Sequence, residues 1–128
     1  MKNINDKDNY RFKTLELMLI EHSADNRIKH IFDLMLHHYM IEDIINREND
    51  SEIIKTIYYK KAYDSKNLVG IHIQFNLCRN ALLKRRKKYL YFIALHYLGL
   101  NCVSDDSLDL LYDRLAEDFP LEKAKSHK

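Results

Sequence analysis

From residue 71 to residue 98 the chain runs without a glycine or a proline, and this stretch limits the architecture more than any other feature of the sequence. Leu68, Ile71, Phe75, Cys78 and Leu82 step by three, four, three and four, the spacing of one helix face. The alternation of apolar and polar residues over 71–77 would also suit a half-buried strand, paired with 56–59 in a hairpin turning at 64–67. No third strand is available to complete a sheet, and the apolar pattern continues unbroken through Ala81, Leu82 and Leu83 to Leu98, so the spacing predicts a helix. The expected fold class is all-α, a single-domain bundle of four to five helices with one long central basic helix. The alternative is α+β, with a β-hairpin at about 55–77.

The 128 residues include only two glycines and one proline, with 46% hydrophobic content, which suits one domain over 1–128 with short loops and frayed tails at 1–8 and 121–128. A first helix is expected over 9–22 on Phe12, Leu15, Met18 and Leu19. A second is expected over 26–47, with Ile28, Ile31, Phe32, Met35, Leu36 and Tyr39 forming a stripe that Ile41, Ile44 and Ile45 extend. Asn49 followed three residues later by Glu52 matches a capping box and starts a third helix near Asp50, carrying Ile53, Ile54, Ile57, Tyr58 and Ala62. Gly99 stops the basic helix, Ser104 caps a last one, and Pro120 closes it. Cys78 and Cys102 sit in or beside apolar patterns and are expected as buried, reduced thiols. The polar start carries no secretory core, and no apolar run reaches the roughly 18–20 residues of a membrane span, so a cytoplasmic chain without membrane contact is expected.

Charge is segregated along the chain. Residues 51–100 hold ten Lys/Arg against Glu52 and Asp64, whereas both flanking segments are acidic, a pattern hidden by the overall charge of +2. On a wheel at 100° per residue with Leu82 at the origin, Leu83, Leu90, Ile93, Ala94 and Tyr97 share the face that enters the core. Lys84, Arg85, Lys87 and Lys88 fall on the opposite arc. Arg79 and Arg86 violate the pattern, lying inside the apolar arc seven residues apart. Such arginines either pair with a buried acid, for which the acidic last helix is the expected source, or line a groove and grip phosphate or carboxylate.

Catalytic constellations are absent from the pattern. His30, Asp33 and His37 have the i, i+3, i+7 spacing of helical metal ligands, but no Glu-x-x-His occurs, and neither a metal nor any other cofactor is expected. No arginine has a histidine four to six residues on, a spacing that small helical ribonucleases often use. Cys78 with His72, or Cys102 with His96, lacks any marker of an oxyanion hole. An enzyme is therefore not expected.

Clustered cations interleaved with tyrosine suit unpaired nucleic acid, where lysine neutralises phosphate and tyrosine stacks on bases. The expected function is thus a non-enzymatic module for RNA or single-stranded DNA, contacting it through Arg79, Lys84, Arg85, Arg86, Lys87, Lys88 and Tyr91 with Lys60 and Lys61. The alternative is a small protein-binding module, such as an inhibitor, immunity protein or assembly subunit, steered by charge toward an acidic protein or a second copy of itself. Its sequence feature is the far end of the basic helix, where Tyr91, Phe92, Leu95 and Leu98 make the outer arc apolar.

Overall fold

Two aspartates decide where the second and third helices begin. In a computed structural model that describes residues 4–59 and 74–120, Asp25 is extended and its carboxylate accepts from the backbone N–H groups of Arg27 and Ile28 at 2.9 and 3.3 Å, opening helix α2 (Asn26–Asn46) after α1 (Ile4–Glu21). At the other end of α2 the Asp43 carboxylate reaches forward to the N–H groups of Asp50 and Ser51, at 2.9 and 2.8 Å. It thereby caps α3 (Asp50–Ile54) from the preceding helix. The capping box expected from Asn49 and Glu52 does not form: Asn49 makes no side-chain cap, and Glu52 pairs with Lys55 at 3.2 Å. Asp43 wins because Arg47 turns left-handed at φ +56 and folds the chain back past it.

α3 runs on into a π-helical turn, Lys55–Tyr59, which keeps Ile53, Ile54, Ile57 and Tyr58 all buried on one side. The hairpin alternative required a strand here and is overturned. Residues 60–73, which include Lys60, Lys61, Ala62, the turn at 64–67 and His72, lie outside the described residues, as do the tails 1–3 and 121–128. The helix expected to run continuously from Leu68 to Leu98 is broken: Asn76 is left-handed at φ +58, Cys78 is extended, and α4 spans Arg79–Leu98. The Cys78 sulfur accepts from the Ala81 N–H at 3.4 Å and so acts as the N-cap. Cys78 and Cys102 are both free and exposed, a correction to their expected burial; each falls at a helix boundary rather than on a core face. Gly99 ends α4 at φ +69, and α5 follows (Asp105–Asp118) with Ser104 at its start.

The fold is all-α, with five α-helices and no strand among the described residues. α4 is the hub, packed against α1, α2 and α5, and the buried apolar side chains form one connected cluster around it. Leu82, Leu83, Leu90, Ile93, Ala94 and Tyr97 enter that cluster as the wheel requires. Ile41, Ile44 and Ile45 do not: they are exposed, because α2 buries the arc through Ile28, Met35 and Tyr39 and these three isoleucines lie roughly opposite it.

Among the described residues Arg86 is the one cation inside the cluster, only 2% exposed, and its partner is not the acidic last helix but Glu16 of α1, itself fully buried. The pair is bidentate, with Nε to Oε2 at 3.1 Å and Nη2 to Oε1 at 2.9 Å, while Nη1 donates to Asn9 at 2.6 Å. Desolvating two charges is costly, so such a pair holds α1 to α4 mainly by penalising any arrangement that separates it. Arg86→Met, which leaves Glu16 buried without its guanidinium, is expected to lower unfolding free energy by roughly 3–5 kcal/mol, and adding Glu16→Leu should restore most of it. Urea denaturation of the two variants checks this; equal losses in both would contradict it.

Candidate binding groove along the basic helix

Arg85, Arg86, Lys87 and Lys88 are consecutive, and successive residues of an α-helix point about 100° apart, so a run of four cannot form one patch. The cations spread around α4, and three parts of the chain supply the carboxylates they meet, with Asp50 shared by Arg85 and Lys88. Arg86 takes Glu16. Arg85 reaches Asp50 at 3.0 Å, Glu48 at 2.8 Å and the Asn49 amide oxygen at 3.1 Å. Lys88, one turn on, takes the other oxygen of Asp50 at 2.8 Å, and Lys87 pairs with Asp105 at 3.3 Å.

Asp50 is the densest node. It is 2% exposed and accepts from Arg85, from Lys88 and from the hydroxyl of the buried Tyr89 in a very short contact. Burial pushes its carboxyl up, but the hydrogen bonds from Lys88 and Tyr89 and the charges of Lys88 and Arg85 outweigh burial and hold it below the ordinary 3.8. Neighbouring Tyr39 is pushed up to about 12, by burial first and then by the charges of Asp50 and Glu42, so it remains a neutral phenol. Asp105 is lowered by the Tyr91 hydroxyl, which donates to it at 2.6 Å, and by Lys87.

Above this layer of ion pairs lies a cleft of about 490 Å³. Lys84, Lys87 and Lys88 line it together with Tyr39, Tyr91, Phe92, Leu95 and Val103. Lys84 is exposed and makes no ion pair among the described residues; Lys87 and Lys88 keep about two-fifths of their side-chain surface open, with one carboxylate partner each for three N–H donors. Four residues named from sequence, Lys84, Lys87, Lys88 and Tyr91, thus converge on one groove. Arg86 does not join them, being sealed in the core, and Arg85 is turned toward α3. Arg79 is exposed at the first turn of α4, where the helix has only just begun, and does not stack with Arg86 on a common core face as the wheel expected. Lys60 and Lys61 lie outside the described residues. Sequence reasoning missed Val103, Glu48 and Asp50 as parts of this region, and placed Tyr39 in the core alone. The metal-spaced Asp33 is engaged by the Tyr59 hydroxyl at 2.7 Å.

The ring faces in the groove are largely occupied. The Lys87 ammonium lies 5.5 Å from the Tyr91 centroid, Lys88 lies 5.1 Å from that of Tyr39, and Phe92 packs between His38 at 5.4 Å and His96 at 4.4 Å. No known protein family, no curated protein and no solved structure matches the chain. Among the described residues, no helix is long and apolar enough to cross a membrane.

The lowered carboxyl of Asp50 ties stability to pH. Its folded value lies below the unfolded one, so the unfolded chain takes up the proton first on acidification; the contribution is complete above about pH 5 and lost as pH falls through the folded value. Asp50→Asn is expected to cost roughly 1.5–3 kcal/mol at pH 7, as for hydrogen bonds to charged groups. Urea melts should show that gap narrowing as pH falls below about 4; a gap independent of pH would contradict the assignment.

Proposed function

We propose that this chain is a non-enzymatic protein-binding module whose α4 groove receives an acidic partner segment bearing an apolar side chain. The observation that carries the reading is the pairing of an apolar floor, Tyr91, Phe92 and Leu95, with a rim of three lysines in one cleft. The groove is shallow and open to solvent, and its volume of about 490 Å³ admits a large aliphatic or aromatic side chain. The lysines then face the carboxylates that flank it, steering encounter and fixing orientation.

Two features favour polypeptide over the nucleic acid suggested by composition. Base stacking needs a well-exposed ring, and Tyr39 is buried while Tyr91 and Phe92 are only partly exposed and already carry Lys87 and His96 against them. Affinity for a polyphosphate grows with the number of cations that release counterions, and of the basic run at 84–88 only the three lysines line this groove, Arg85 and Arg86 being turned away from it and held by the protein's own carboxylates.

Fluorescence polarisation distinguishes the readings, using a labelled peptide that alternates Asp/Glu with Phe/Leu, a neutral peptide of equal length and a twenty-nucleotide oligo-dT. At about 100 mM salt, where charges beyond about 10 Å are screened, the acidic peptide alone should bind. Lys84→Glu with Lys87→Glu should weaken it by about tenfold or more, the equivalent of roughly 1.4 kcal/mol. Oligo-dT binding tighter than the peptide would return the nucleic-acid reading, and binding by none of the three would remove the groove as a site.

A further inference from the structure

α1 and α5 both pack on α4, and the furrow between them holds a second cleft, of about 380 Å³, more enclosed than the α4 groove and sharing no lining residue with it. The buried side chains of Leu15 and Leu108 form its floor. Its walls carry two open phenol rings, Tyr10 of α1 at 73% exposure and Tyr112 of α5 at 46%. Neither ring packs on another ring or on a cation among the described residues, whereas Tyr91 and Phe92 of the α4 groove do.

Arg11 is the unusual member of this cleft. Its guanidinium makes no hydrogen bond to any described residue, although its Nε is buried. Nη2 and Nη1 approach Asp105 and Asp109 only to 3.9 Å, close enough for attraction and too far for a hydrogen bond. Asp105 is already held by the Tyr91 hydroxyl and by Lys87, which fixes it out of Arg11's reach, while the Phe12 ring, 6.0 Å from the guanidinium carbon, holds Arg11 in place. A buried N–H without an acceptor is costly and uncommon, so an arginine left in this state beside a cleft marks a place for an acceptor from outside the chain. Asp109, mostly exposed, likewise accepts no hydrogen bond among the described residues, and Lys7, exposed one turn before Arg11, makes no ion pair among them. Two cations thus stand on the α1 wall and one carboxylate on the α5 wall, above an apolar floor.

We propose that this cleft binds a free aromatic α-amino acid, its carboxylate on Arg11 and Lys7, its ammonium on Asp109, and its ring against Tyr10 and Tyr112 over Leu15 and Leu108. A zwitterion laid antiparallel to the Arg11–Asp109 pair gives each of these groups the hydrogen bonds it lacks without pulling the pair apart. A purely anionic ligand would meet Asp109 across the cleft, and a purely cationic one would meet Arg11 and Lys7. An apolar lining with a few convergent polar groups is the usual composition of a small-molecule site. The α4 groove plays no part in this binding.

Amide NMR of the full chain, titrated with L-phenylalanine, locates and measures the site. The expected result is saturable binding with a Kd of about 1 mM or tighter, with shifts centred on Tyr10, Arg11, Asp109 and Tyr112. N-acetyl-phenylalanine lacks the ammonium and phenylalaninamide lacks the carboxylate, so each should bind about tenfold more weakly or worse. Asp109→Asn should weaken phenylalanine by about the same factor without weakening N-acetyl-phenylalanine, a crossed pattern that loss of folding cannot produce. No saturable shifts up to about 10 mM, equal binding of the three ligands, shifts centred on the α4 groove, or tighter binding of adenosine monophosphate would each overturn the proposal.

Discussion

Four adjacent cations on one helix cannot face the same way, and the rest of this structure follows from how the chain resolves that constraint. A helix turns about 100° per residue, so the side chains at 85–88 point around the whole circumference of α4. Three regions supply the acids they meet: Glu16 from α1, Glu48 and Asp50 from the turn into α3, with Asp50 shared by Arg85 and Lys88, and Asp105 from the start of α5. The basic run therefore works as a spindle to which the other helices are fastened. This explains why α4 is central and why both flanking segments of the sequence are acidic.

The same arrangement sets what the surface can offer. The basic run of α4 presents few uncompensated charges once folded, because four of the five cations at 84–88 have carboxylates of the chain itself within 4 Å. What remains is Lys84 and the outer donors of Lys87 and Lys88, set beside an apolar floor. That combination is closer to a peptide-binding cleft than to a polyphosphate track, and it underlies the proposed function. On the far side of the bundle the open stripe of α2 supplies a second surface of different character, almost free of acid and rich in isoleucine.

Much of the architecture was legible in the sequence. The core face of α4, the Gly99 stop and the start of α5 were read correctly because each depends on local spacing or on one residue's own conformational preference. The break before α4 was not, since Phe75 and Leu77 pack partly against the core from a non-helical segment and so continue a helical period by coincidence. The exposure of Ile41, Ile44 and Ile45 was misread for the opposite reason: apolar residues on both sides of α2 look like one broad core stripe until it is known which side the neighbours cover. That Arg86 pairs internally was anticipated, but its partner was not. Glu16 was the available signal, a lone acid set among Phe12, Leu15 and Leu19, and it pairs across seventy residues with a cation that violates its own pattern in the same way. Asp50 was invisible as a node because, locally, it reads only as the first residue of a helix.

The central claim, that the cations of α4 are engaged inside the protein, is tested most directly by side-chain NMR of the arginine guanidinium groups. The account predicts that the Nε–H of Arg86 is resolved, exchanges with water far more slowly than that of an exposed arginine such as Arg47, and does not move when salt is raised to about 0.5 M, because a buried pair is screened much less than a surface one. An Arg86 resonance that exchanges as fast as Arg47 and shifts with salt would contradict it.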